Sequence, residues 1–283
     1  MIATAKRANV LTITGNIFLF IFKLFIGVFT NSIAVISDAI NSLVDTVTSI
    51  LVYFCMKISR KSPDENHPFG HFMAEPLGAM LIAVLTCVMG VEILYKGFLR
   101  LFDPSQLNIP LFIILIYPVT IVVKGFLYYY TKYASSMTKS QALKALYIDH
   151  RNDALVSLSI IIGFFAIKSG YYFIDSLIGF FIAGYIIKSG LDIGLQNIKY
   201  IMGETPSQDL IDIIREKACS VRNVKGVNLV KAHYIGLVLN VEVHINVDKN
   251  KSLKQGHDIG DRVQKALQSL DDVERAFVHV EPV

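Results

Sequence analysis

Residues 33–56 read IAVISDAINSLVDTVTSILVYFCM. The run has the ~20-residue length of a helix that crosses a bilayer, yet it contains Asp38, Asn41 and Asp45. A membrane interior penalises an aspartate by ~3 kcal/mol or more, so acids inside a span are functional candidates by default. Outward from this stretch, comparable apolar runs cover roughly residues 9–30, 77–99, 109–131, 146–169 and 172–196, which predicts six transmembrane helices. Composition agrees: the 283 residues are 53% hydrophobic and only 18% charged, which excludes a disordered or wholly soluble protein. A formal net charge of +4 gives no support to nucleic-acid binding. The three cysteines, Cys55, Cys87 and Cys219, lie far apart without a CxxC pair. That spacing argues against a disulfide framework, a zinc ribbon or a redox motif.

Lys6 and Arg7 precede the first span, but the apolar run is long and no small-residue cleavage site follows, so it is expected to be retained as a helix. Lys57, Arg60 and Lys61 follow span 2, Lys132 and Lys139 follow span 4, and Lys199 follows span 6. This bias predicts a multi-pass cell-membrane protein with both termini cytoplasmic. From about Thr205 the pattern becomes that of a soluble domain. Helical periodicity in SQDLIDIIREKACSV (207–221) is followed by alternation in GVNLVKAHYIG (226–236) and LVLNVEVHINVD (237–248). A helix in SLKQGHDIGDRVQKALQSL (252–270) and a strand in ERAFVHVEP (274–282) complete the tail. The expected fold is therefore an α-helical membrane protein, with a transport-type domain over 1–204 and a small cytoplasmic α+β domain of αββαβ, ferredoxin-like order over 205–283.

Asn41 and Asp45 stand four residues apart, one turn along one helical face, with Asp38 as an auxiliary acid three residues earlier. Span 5 opens with YIDHRND (147–153), in which Asp149 and Asp153 repeat the spacing. Two helices meeting through these faces would converge Asn41, Asp45, Asp149 and Asp153. Any one of them is as readily a helix cap or a headgroup contact. Three carboxylates packed together, however, repel one another unless a cation or protons neutralise them, so a divalent-cation site is expected. Lys23, Glu92 and Lys124 lack such a partner at helical spacing and are read as snorkelling or interhelical groups.

The loop SPDENHPFGHFMAEP (62–76) offers Asp64, His67 and His71, a carboxylate and two imidazoles that suit Zn²⁺ or Mn²⁺, although, taken alone, a solvated turn at Pro68 and Gly70 is the simpler account of them. The tail holds His233, His244, His257 and His279, and on a terminal strand His279 and Glu281 face the same side.

Six spans, NSLVD (41–45), DENHPFGH (64–71), DHRND (149–153) and the αββαβ tail together resemble the cation diffusion facilitator family, over essentially the whole chain. The resemblance implies a homodimeric exporter that exchanges a cytoplasmic divalent metal for protons, with no permanently bound cofactor. It implies a transport site of Asn41, Asp45, Asp149 and Asp153 and a loop site of Asp64, His67 and His71. It also places His244, His257, His279 and Glu281 near cytoplasmic metal sites at the dimer interface. The chain departs from zinc-transporting members, which usually carry a histidine at the position of Asp149 and often a histidine or aspartate at that of Asn41. Asn228 stands where well-known zinc members have a histidine, and Met73 and Gly203 stand where some members interlock a lysine and an aspartate across the dimer.

Replacing imidazole by oxygen donors suits Mn²⁺, which stands lowest in the Irving–Williams order and must be chosen by ligand type and geometry. The set also resembles that of the manganese-exporting branch, so Mn²⁺ is expected ahead of Zn²⁺ or Fe²⁺. His150 is the competing donor. On a helical wheel Asp149 lies about 40° from Asp153 and His150 roughly 60°, so the Asp149 register is favoured. A membrane-anchored metal sensor is the alternative from another class, but a passive anchor needs no acids at the bilayer centre. No G-x-S-x-G, Walker A or HExxH motif points to an enzyme.

Overall fold

The computed structural model describes residues 2–30, 33–102, 114–169 and 171–283. The chain forms two compact units, one of residues 1–70 with 74–197 and one of residues 71–73 with 198–283.

The first unit is built from six long helices: α1 (Ile2–Phe29), α2 (Ile33–Ser59), α3 (Ala74–Phe102), α4 (Ile116–Thr138), α5 (Gln141–Lys168) and α6 (Tyr172–Ile201), whose last turn belongs to the second unit. Stretches of four of them, Ala3–Phe29, Val35–Ser59, Ala74–Leu99 and Ser176–Ile201, are long and apolar enough to cross a membrane. Helices α4 and α5 are also long, and among the described residues α4 carries Lys124 and Lys132, and α5 carries Lys144, Asp149, Arg151 and Asp153. The expected start of span 4 at residue 109 lies outside the described residues; the described part of α4 begins at Ile116.

Helix α1 packs on α2 and α4, α4 on α5, and α3 on both α2 and α5. Large apolar side chains such as Phe18, Phe25, Tyr129 and Phe181 point outward, while polar groups point inward. Asn9, Thr12, Asn16 and Lys23 are all buried and fall along one face of α1. Each meets a neighbour: Asn9 Nδ2 reaches Met56 Sδ at 3.5 Å, Thr12 meets Thr131, Asn16 Nδ2 donates to Ser49 Oγ at 3.1 Å, and Lys23 pairs with Asp38 at 3.0 Å.

The joint between α4 and α5 is tight because Lys139 adopts a left-handed φ of 54° and Ser140 then caps α5, its Oγ accepting from the Leu143 N–H at 3.2 Å. Ser140 also donates to buried Glu75, whose other oxygen accepts from Ser59 at 3.5 Å, tying the end of α2, the start of α3 and the start of α5. Helices α3 and α6 approach closely at two glycines. A Cβ at Gly90 would lie 2.6 Å from Ile187 Cγ1, and one at Gly190 would lie 2.6 Å from Cys87 Sγ.

In the second unit α6 ends in a Schellman cap: Glu204 N–H donates to the Lys199 carbonyl at 2.9 Å and Gly203 N–H to that of Tyr200 at 3.3 Å. Gly203 has φ +72°, a conformation that disfavours an aspartate there. The domain follows the expected order: α7 (Gln208–Cys219), β1 (Gly226–Ile235), β2 (Val238–Val247), α8 (Leu253–Gln268) and β3 (Val273–Pro282). Strand β2 is central, antiparallel to β1 and parallel to β3. Alternation sends Val241, Val243 and Ile245 into a core with Ile214, Ile259, Val263 and Leu267 from the helices. Glu242, His244 and Asn246 therefore line the opposite face. Ser252 starts α8 with a capping box, its Oγ accepting from the Gln255 N–H at 3.3 Å.

Candidate metal centre

One acid of each expected pair, Asp45 and Asp153, meets the other through a residue that helical spacing could not supply. Asp45 reaches in from α2, and Asp149 and Asp153 from successive turns of α5. Between them, from α4, stands Lys124. Its ammonium lies 2.8 Å from Asp45 Oδ2 and also bonds Asp153 Oδ2. The Lys124 side chain is only 2% exposed, against 26% for Asp45 and 13% for Asp153, so the lysine is the deepest member of the group. Lys124 is thus interhelical, not snorkelling, and its partners come from two other helices. Lys23 is likewise paired across helices, with Asp38, and Glu92 pairs along its own helix with Lys96 at 2.5 Å.

Asp149, His150 and Asp153 each present a donor atom within 4.8 Å of the others. His150 is fully buried; its Nε2 lies 3.2 Å from Thr12 Oγ1, and among the described residues its Nδ1 has no hydrogen-bond partner. Asn41 keeps its place one turn before Asp45 but is exposed, and among the described residues no hydrogen bond joins it to the carboxylates. Asp38 is engaged by Lys23 at 3.0 Å.

In the loop after α2, Asp64 accepts from Lys61 Nζ at 2.6 Å and from the His67 backbone N–H at 2.9 Å, and its Oδ1 lies 3.4 Å from His67 Nδ1. His71 falls in the short segment that belongs to the second unit.

On the open face of the sheet, the parallel register sets His244 directly opposite His279 and Asn246 opposite Glu281. The two rings are 4.8 Å apart between centroids, and donor atoms of His244, His279 and Glu281 lie within 4.8 Å of one another. His244 Nδ1 is 2.8 Å from Glu281 and Nε2 is 3.1 Å from Glu242, so hydrogen bonds to Glu281 first and Glu242 second hold its pKa above the ordinary value. His244 and then Asn228, at 2.5 Å, hold the Glu281 carboxyl below its ordinary value. Asn228 sits at a bulge in β1 and is itself bonded by Asn246 at 2.8 Å. His257 does not join them. It lies on α8, which packs against the covered face of the sheet, and it is exposed beside Asp261 at 3.7 Å.

Lys124, Thr12 and Glu242 were not legible as members of these groups. One signal existed: a lysine in an apolar helix needs a carboxylate partner, and the nearest candidates in kind were the acids of spans 2 and 5.

Residues 10–202 match the family model described as the cation efflux transmembrane domain, and residues 206–283 match that of the cation efflux protein, cytoplasmic domain. An uncharacterized transporter of Methanocaldococcus jannaschii is 37% identical over 278 residues, covering 98% of each chain. The manganese efflux system protein MneS of Bacillus subtilis is 28% identical over 238 residues, covering 83% of this chain and 81% of its own. The cation-efflux pump FieF of Shewanella oneidensis is 23% identical over 235 residues, covering 83% and 79%.

Proposed function

The chain belongs to the cation efflux family of membrane transporters, and on that premise we propose that it exports Mn²⁺ from the cytoplasm in exchange for protons, as a homodimer with both termini cytoplasmic. The observation that carries the metal assignment is the donor set: Asp45, Asp149 and Asp153 offer carboxylate oxygen, and Asn41 offers a neutral carbonyl one turn from Asp45. Oxygen donors suit Mn²⁺ and remove the imidazole that favours zinc. The likeness to a relative named as a manganese efflux protein supports the same reading. Protons are the natural exchange partner, because carboxylates that have released a metal must be neutralised before the emptied site turns back toward the cytoplasm.

Zn²⁺ is the second reading, favoured by His150, whose donor lies within 4.8 Å of those of Asp149 and Asp153. Asp64, His67 and His71 are proposed as an accessory loop site, and His244, His279 and Glu281 as a cytoplasmic site. The deciding experiment compares Mn²⁺, Zn²⁺, Fe²⁺ and Co²⁺ transport by the purified protein in liposomes under a pH gradient. Mn²⁺ should move fastest and should slow when the gradient is collapsed. Faster Zn²⁺ transport that His150→Ala removes would establish the second reading. Asp45→Ala should stop transport while metal binding by the tail survives, which decides for transport; a wild-type protein that binds metal through its tail yet moves none of the four ions would instead be an anchored sensor.

A further inference from the structure

Lys124 has no assigned part in the exchange, yet it occupies the centre of the acidic group. It comes from α4, which contributes none of the expected ligands, and its side chain is almost wholly buried. Its ammonium is shared between Asp45 of α2 and Asp153 of α5, so one cation already joins two helices whose acids would otherwise repel. The two bonded carboxylates, Asp45 and Asp153, both belong to the proposed donor set. Resting on the transport-site reading above, we propose that Lys124 is a tethered counter-cation of the transport site. Its ammonium competes with the arriving divalent ion for Asp45 and Asp153 and sets how tightly that ion is held.

The effect is electrostatic, with Lys124 as a fixed positive charge. Its ammonium cancels one of three carboxylate charges, leaving a deficit that a single divalent ion fills. When the ion takes the carboxylate oxygens, the ammonium is displaced but cannot leave, since its Cα is fixed on α4. It stays nearby as a positive charge in a poorly screened interior, where charges a few ångströms apart interact strongly. The bound metal is therefore held less tightly than three carboxylates alone would hold it. Weaker holding favours release, which an exporter needs as much as capture. A merely structural ion pair predicts the opposite: removing the lysine should loosen the site and weaken metal binding.

The test uses the full chain, purified in detergent and reconstituted in liposomes, with Mn²⁺ as the probe. Lys124→Met removes the charge and keeps most of the side-chain length. It should bind Mn²⁺ roughly tenfold more tightly or better by titration calorimetry, show a larger Mn²⁺-induced rise in Tm than the wild type, and turn over more slowly in liposomes. Lys124→Arg keeps the charge and should hold Mn²⁺ much as the wild type does. Unchanged or weaker Mn²⁺ binding in monodisperse, helical Lys124→Met overturns the proposal; Lys124→Gln is the second neutral variant, judged by the same outcomes. Asp153→Asn separates the two levels. If it binds and exports Mn²⁺ like the wild type, the site assignment fails and takes this inference with it. If it is inactive while both neutral lysine variants bind Mn²⁺ like the wild type, only the role of Lys124 fails.

Discussion

Gly190→Ala should destabilise the helical unit although alanine is the better helix former. A Cβ at this position would stand 2.6 Å from Cys87 Sγ, 3.0 Å from the Ala83 carbonyl oxygen and 3.1 Å from the Cys87 nitrogen. Two of these three atoms are backbone and cannot rotate away. To restore an ordinary separation of ~3.5 Å, α3 and α6 must part by roughly 0.5–1 Å, which forfeits dispersion contacts along the crossing. Overpacking of this kind costs about 1–3 kcal/mol, and with two backbone atoms in the clash this site belongs toward the upper end, beyond the propensity gain of about 0.8–1 kcal/mol. With roughly 2–4 °C in Tm per kcal/mol for chains of this size, the melting point should fall by several degrees. The assay is thermal melting of the full chain in detergent, followed by far-ultraviolet circular dichroism. Gly184→Ala on the same helix is the control, because a Cβ there meets nothing within 4 Å; it should melt at or above the wild type. Cys87→Ala combined with Gly190→Ala should recover only part of the loss, since the backbone clashes persist. A Gly190→Ala protein that melts at or above the wild type, or a Gly184→Ala protein that falls as far, would refute the close-approach argument.

Asp149→His should shift transport preference from Mn²⁺ toward Zn²⁺ in liposomes, by restoring an imidazole at the first position of the span 5 pair; an unchanged preference would count against the metal assignment. Asp248 is held below its ordinary pKa of 3.8 first by the Asn250 backbone N–H and then by Lys225, whose Nζ lies 3.1 Å away. A depressed carboxyl contributes stability above its unfolded pKa and loses it as pH falls through the folded one. The wild type should therefore melt above Asp248→Asn at neutral pH, with the gap closing below pH 3.8. Ser252→Ala removes the side-chain acceptor of the α8 capping box and should cost about 1 kcal/mol in denaturant titration of the full chain, read from the transition of the C-terminal domain; Ser252→Asp should retain most of the stability.

Local periodicity made much of this molecule readable. The αββαβ tail follows from alternation in 226–236 and 237–248 and from the amphipathic spacing around them, and the acidic faces of α2 and α5 follow from two i, i+4 pairs. What periodicity cannot express is a partner on another helix. Lys124 lies 79 residues from Asp45 and 29 from Asp153, and only packing brings them together. The family resemblance groups His257 with His244, whereas the sheet's covered and open faces separate them.

The inward row of α1 has one further consequence. Asn9, Asn16 and Lys23 find their partners on α2, and Thr12 finds Thr131 on α4 and His150 on α5. Sliding α1 along its axis by one turn, about 5.4 Å, would break every one of these pairings at once in a medium that offers no substitute. The helix is therefore indexed to its neighbours at one axial setting. When the bilayer thickens or thins, accommodation must fall to lipid chains and to residues at the helix ends, and α1 cannot adjust by piston-like travel.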